Sequence, residues 1–155
     1  SKYENLDNKR MELKQMFFKK NKKDTILDYD KITPIEAVTH LFVFVLLSDN
    51  QNSYEEKESW KKSILKLFPN QSDERSEIFF NNASKIIPSL NSREKDYFLV
   101  EICKKILEFL DDDKIKMLGP MLSDLIMADG IIMSTEVQVI NLIEKNLSIS
   151  IDKNE

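Results

Sequence analysis

Four acids stand in two matching pairs, Asp49 with Glu56 and Asp129 with Glu136, and in each pair the second acid follows seven residues after the first. Ionised carboxylates are hard oxygen ligands, the donor type that Ca²⁺ and Mg²⁺ prefer, so a convergence of the four would make a divalent-cation site. A structural reading covers the same residues. Glu56 and Glu136 fall in first helical turns, where acids complement the helix dipole and cap free amides, and Asp49 and Asp129 fall in short turns where Asp is common. Spacing alone leaves both readings open. An EF-hand is excluded: counted from Asp129, the third, fifth and twelfth positions are Ile131, Met133 and Ile140, none of which carries a ligand oxygen on its side chain.

The other residues capable of chemistry are isolated. His40 is the only histidine, lies in an apolar stretch and has no Ser or Cys nucleophile paired with it by a local motif, so it reads as structural. One His and one Cys are too few for zinc. Cys103 excludes an internal disulfide and sits in the spacing Leu99–Cys103–Ile106–Leu110, which makes it a small buried hydrophobe rather than a reactive thiol. Asp111-Asp112-Asp113 reads as a solvated cap ahead of a cation site, with Asp113 as the capping residue of a helix over 114–128. Phe17-Phe18 beside Lys19, Lys20, Lys22 and Lys23 would suit an anionic membrane surface, but cations collect at helix C-termini in any case. No nucleophile–base pair or cofactor loop is visible, and the chain reads as non-enzymatic with no catalytic residues.

Composition narrows the rest. The 155 residues suit one domain with a substantial core. Only two glycines are present, which argues against phosphate-cradling loops and tight hairpins, both of which need positive φ or close backbone approach. A net charge of −4, with Arg10, Arg75 and Arg93 the only arginines, opposes nucleic-acid binding. The longest apolar run, Leu41 to Leu47, falls far short of the ~20 residues a membrane span requires. A cytoplasmic location is the default expectation.

The elements that must position the acids are helical. A helix is expected over 3–20, with Leu6, Leu13, Met16 and Phe17 at helical spacing, followed by a connector to residue 32. Thr33-Pro34-Ile35-Glu36 is a helix start with cap, first-turn proline and capping-box acid. The stretch Leu41–Leu47 suits a buried strand on periodicity alone, and the upstream cap and total length favour a helix to about Ser48. Ser53-Tyr54-Glu55-Glu56 opens the next helix, with Trp60, Ile64, Leu67 and Phe68 inward. Residues 73–87 carry Ile78, Phe79, Ala83, Ile86 and Ile87 at spacings of three and four. Asn91-Ser92-Arg93-Glu94 starts a helix to about Leu110. The helix over 114–128 places Met117, Met121 and Met127 in the core, and a last helix over 134–147 turns Val137, Ile140, Ile143 and Leu147 inward. Met133, in the turn before it, suits an exposed partner patch.

The two acid pairs belong to a repeated design. Leu46-Leu47-Ser48-Asp49-Asn50 followed by Glu56 matches Ile126-Met127-Ala128-Asp129-Gly130 followed by Glu136. Asn50 and Gly130 occupy equivalent places just past a helix, where left-handed geometry is common. In Ala128-Asp129-Gly130-Ile131-Ile132-Met133-Ser134-Thr135-Glu136 the chain resembles the TerB family, helical proteins named from bacterial tellurite-resistance operons. His40 to Trp60 is similar to that family's earlier hairpin, with Asn50 in place of the usual Gly. The resemblance covers about residues 33–147. Caps and periodicity predict an all-α bundle of six to seven helices, with an N-terminal helix and connector over 1–32; the resemblance implies an all-helical fold with two hairpins related by a pseudo-twofold axis and a TerB-like domain over 33–150. It also implies a carboxylate cluster for a divalent cation (Ca²⁺ or Mg²⁺) at Asp49, Glu56, Asp129 and Glu136, a role in metal or chemical stress response, and a protein partner. The departure at Asn50 weakens the metal role of the first hairpin. A helical protein–protein interaction adaptor, whose acids are purely structural and whose apolar groove receives a partner, is the competing expectation.

Overall fold

The computed structural model describes residues 27–48, 54–70, 73–127 and 134–152, apart from the side chains at 54–56, 73–74, 127 and 134–136. Six α-helices follow in order: α1 (Pro34–Ser48), α2 (Tyr54–Leu67), α3 (Asp73–Ile86), α4 (Ser92–Phe109), α5 (Asp112–Met127) and α6 (Ser134–Leu147), with a 3₁₀ turn at Ile87–Ser89. No strand occurs among the described residues, so the protein is the all-α bundle its caps predict, and Leu41–Leu47 is helix. The helix expected over 3–20, the Ser53 cap and the turns that would relate two hairpins by a pseudo-twofold axis lie outside the described residues.

Three helix starts have a local cause among the described residues. Thr33 Oγ1 accepts the Glu36 N–H at 3.2 Å, which settles an amide that has no partner within the helix, and the Thr33 carbonyl accepts the first helical bond, from the Ala37 N–H, at 3.0 Å. At α4 the capping box closes in both directions: Glu94 N–H donates to Asn91 Oδ1 at 2.9 Å, and Asn91 N–H donates to Glu94 Oε1 at 3.0 Å. The cap of α5 differs from expectation. Asp111, not Asp113, accepts the Lys114 N–H at 2.9 Å. The helix therefore begins at Asp112, and Asp112 and Asp113 lie in its first turn beside the positive end of the dipole.

Helix α1 organises the bundle. Eleven of its fifteen residues are buried, and it packs against α2, α3, α4, α5 and α6. The surrounding helices each offer it a single apolar stripe: Trp60, Ile64 and Leu67 from α2, Phe98, Leu99, Ile102 and Ile106 from α4, and Ile140 and Ile143 from α6. Helix α4 also contacts α6, and α2 contacts α5, so the shell closes around the central helix. In the connector, Ile32 is buried and Leu27 and Tyr29 lie against the core.

Two inward faces depart from the sequence reading. On α3, Ile78 points outward at 57% exposure, and Ser76, Phe80 and Ala83 face the core. Ile78, Phe79, Ala83 and Ile86 straddle two faces of one helix; Trp60 selects between them by packing its ring on Phe80, centroids 4.7 Å apart and tilted 47°. On α5, Met117 is 37% exposed rather than in the core, because Ile115, Leu118, Leu122 and Leu125 form the inward stripe. Of the inward residues expected on α6, Ile140, Ile143 and Leu147 are buried and Val137 is half-buried.

Beyond α6 the chain reverses sharply. Ser148 adopts a left-handed φ of 55°, a conformation that costs a residue with a Cβ about 1–2 kcal/mol. The Ile149 N–H then reaches the Glu144 carbonyl at 3.3 Å, the long bond of a Schellman-type helix end, with serine where glycine is usual.

Trp60 has no exposed surface, and its indole N–H donates to Thr39 Oγ1 at 3.2 Å inside the core. Trp60→Ala empties a large aromatic site and leaves the Thr39 hydroxyl without this donor. It should lower stability by roughly 3–5 kcal/mol in denaturant melts, and a loss below ~1 kcal/mol would contradict this packing.

Candidate functional site

The backbone places the two acid pairs symmetrically as far as it describes them. Glu56 is the third residue of α2 and Glu136 the third residue of α6, so each acid lies in a first helical turn with the open amides of its helix. The intervals between α1 and α2 and between α5 and α6 run over 49–53 and 128–133. Asp49 and Asp129 fall in these intervals and lie outside the described residues, as do the side chains of Glu56 and Glu136 and the whole of Met133. Asp111 is engaged as the α5 cap. Among the described residues, no group of three or more His, Cys, Asp and Glu side chains is placed to hold a metal ion.

His40 is fully buried on α1, one turn after Glu36. Its Nδ1 lies 2.6 Å from the Glu36 carbonyl oxygen, which can only accept, so the proton resides on Nδ1 and Nε2 is the bare nitrogen. Nε2 is buried and has no hydrogen-bond partner among the described residues. The ring packs on Phe98, centroids 5.8 Å apart, and Phe98 is also in ring contact with Phe44 and Tyr29. Burial is the largest influence on the imidazole and holds its pKa down to about 4, against the smaller opposing effect of the Glu36 carbonyl. A neutral, core-embedded imidazole is not a general base poised for water-borne substrate, which agrees with the structural reading of this residue.

Cys103 is likewise buried on α4, and burial pushes its thiol up to about 12, so the thiolate needed for nucleophilic or redox chemistry is suppressed. Tyr29 is raised above its ordinary value, first by burial and then by Tyr97 and Glu101 nearby. Sequence reasoning assigned Tyr29 to a bare connector; the signal available was an aromatic five residues upstream of Pro34, with Leu27 and Ile32 on either side of it.

Ion pairs link α2 to α3 at the surface. Glu77 on α3 accepts from Lys57 at 3.1 Å and lies 3.6 Å from Lys61, both on α2, and the Lys57 bond and charge lower its pKa. Lys57 also lies 5.6 Å above the Phe80 ring, so one ammonium bridges the carboxylate and the aromatic edge of the core. No helix among the described residues is long and apolar enough to cross a membrane. The Phe17-Phe18 and lysine cluster lies outside the described residues. Comparison with family models, with curated proteins and with solved structures finds no match to this chain.

His40 gives the bundle a defined acid sensitivity. The unfolded chain takes up a proton at the ordinary histidine value of 6.5, whereas the folded chain resists it until about 4. The native state is therefore fully favoured above the unfolded value and loses stability as pH falls through this window, by up to roughly 3 kcal/mol. Stability measured at pH 7 and pH 4.5 should fall less in His40→Gln than in the wild type, by about 2–3 kcal/mol. Equal losses in the two proteins would show that His40 is not the titrating group.

Proposed function

We propose that the chain is a non-enzymatic, TerB-like accessory domain whose two acid-bearing turns bind a divalent cation weakly, Ca²⁺ or Mg²⁺, in a metal or chemical stress response. The matched placement of Glu56 and Glu136 carries this reading: each is the third residue of the helix that follows an Asp-bearing interval. The donor chemistry fits, since carboxylate oxygens are what a hard cation takes. The flanking helices α1, α2, α5 and α6 belong to one bundle, because α1 packs against the other three. Four ionised carboxylates brought together would repel, so an ion that neutralises them would favour the folded state. Cytoplasmic residence and a protein partner are part of this proposal.

A second reading, the helical adaptor, draws on a different observation. Tyr97 and Leu107 on α4 are 63% and 45% exposed, large apolar side chains on the helix that otherwise supplies much of the core. In that reading the four acids are caps and turn residues only, and the surface of the bundle does the work.

Thermal melts separate the two. At an ion concentration about ten times Kd, binding to the folded state alone contributes roughly 1.4 kcal/mol, which raises Tm by about 3–5 °C. Asp129→Asn and Glu136→Gln should each remove that rise, and Asp111→Asn should leave it intact. A wild-type Tm unmoved by millimolar Ca²⁺, Mg²⁺ and Mn²⁺ ends the cation reading and leaves the adaptor in first place.

A further inference from the structure

After α6 the chain passes against both α5 and α6, and main-chain groups of residues 150–152 meet both helices. Gly119 on α5 has no Cβ, and one built there would lie 2.8 Å from the Ser150 carbonyl oxygen, so the tail backbone passes directly against the α5 backbone. One turn further along α5, the Ser123 hydroxyl donates to the Asp152 carbonyl at 2.6 Å. Four helical residues rise about 6 Å and two extended residues about 6.6 Å, so carbonyls 150 and 152 keep register with Gly119 and Ser123. A trans peptide directs the Ile151 N–H away from the Ser150 carbonyl. It meets Glu144 on α6, whose Oε2 accepts it at 3.1 Å. The Ile151 side chain is 3% exposed, in the core beside the helices.

We infer that this face of α5 and α6 is a receptor for an extended peptide segment bearing a branched aliphatic residue, occupied in cis by the chain's own residues 149–152. The contacts named above use two tail carbonyls, one tail N–H and one apolar side chain. Such main-chain recognition accepts any extended segment that offers an aliphatic residue at the Ile151 place, as in other peptide-binding modes that pair backbone bonds with a single pocket. The left-handed Ser148 is the hinge at which the cis segment leaves. A partner segment of this chemistry therefore competes with the tail, and the tail sets the threshold for its admission. The site is separate from the Asp–Glu turns and from the exposed face of α4, so the inference goes beyond both functional readings.

The test uses the 155-residue protein and a fluorescently labelled synthetic peptide of residues 147–155. Ile151→Asn releases the tail from its buried seat and should bind the peptide, read by anisotropy, at least tenfold more tightly than the wild type does. Adding Gly119→Ala to Ile151→Asn should reverse that gain tenfold or more, and a peptide carrying the same Ile→Asn change should not bind. If Ile151→Asn loses its helical circular dichroism, recovery of the signal on adding the wild-type peptide supports the receptor, and failure to recover overturns it. Equal, weak peptide binding by a folded Ile151→Asn and by the wild type also overturns it.

Discussion

A helix buried at every position from Ala37 to Leu46 has no solvent face along that run on which to leave a polar group, and the bundle is organised by what α1 therefore demands. Its neighbours must cover it from several directions, which explains why five other helices touch it and why most of them need only one apolar stripe. Its two fully buried polar side chains must be settled inside. Thr39 accepts the Trp60 indole N–H, and His40 donates back to its own helix at Glu36. These two arrangements differ in consequence. The Thr39–Trp60 bond joins α1 to α2 and satisfies both partners. The His40 bond satisfies only one ring nitrogen, and protonation of the other would place a charge in the core, so the ring stays neutral near neutral pH.

Much of this was legible in the sequence because caps are local. Thr33 and Asn91 act on amides three residues away, and their geometry survives whatever packs around them. Trp60 and the Leu99–Cys103–Ile106–Leu110 stripe were legible for a related reason: long, strongly periodic apolar faces leave one orientation for a helix. The errors fall where the local signal is degenerate. Three consecutive acids offer three caps, and the choice of Asp111 depends on where the chain leaves Leu110, which is buried at the end of α4. Ile78, Phe79 and Phe80 are consecutive apolar residues, and only the position of Trp60 on α2 decides which of them turns inward. Met117 failed because methionine fits a partly exposed position as readily as a core one.

The candidate cation site was legible as a pattern rather than as a geometry. Repetition of an Asp-bearing interval and a helix opening with Glu at its third residue is a statement about backbone positions, and the helix starts at Tyr54 and Ser134 agree with it. Convergence of four side chains is a statement about tertiary placement over about 80 residues, which no spacing rule reaches.

The C-terminal segment shows the opposite case, in which the residues that matter carry no periodic signal at all. Gly119 sits in the interior of α5 next to Pro120, two residues that each disfavour a helix interior, and sequence reasoning passed over both because the apolar stripe around them was intact. The reason for the glycine lies thirty-one residues further on, in the carbonyl of Ser150. A bulkier residue at 119 would improve helix propensity and close the path of the tail. Helix propensity and tail docking therefore oppose each other at this position, and the chain keeps the residue that favours docking. Ser148 repeats the pattern, with a strained left-handed turn that brings Ile151 to its buried seat. Two local penalties sustained for one extended segment mark the α5–α6 face as a place where the backbone is shaped around a strand-like occupant.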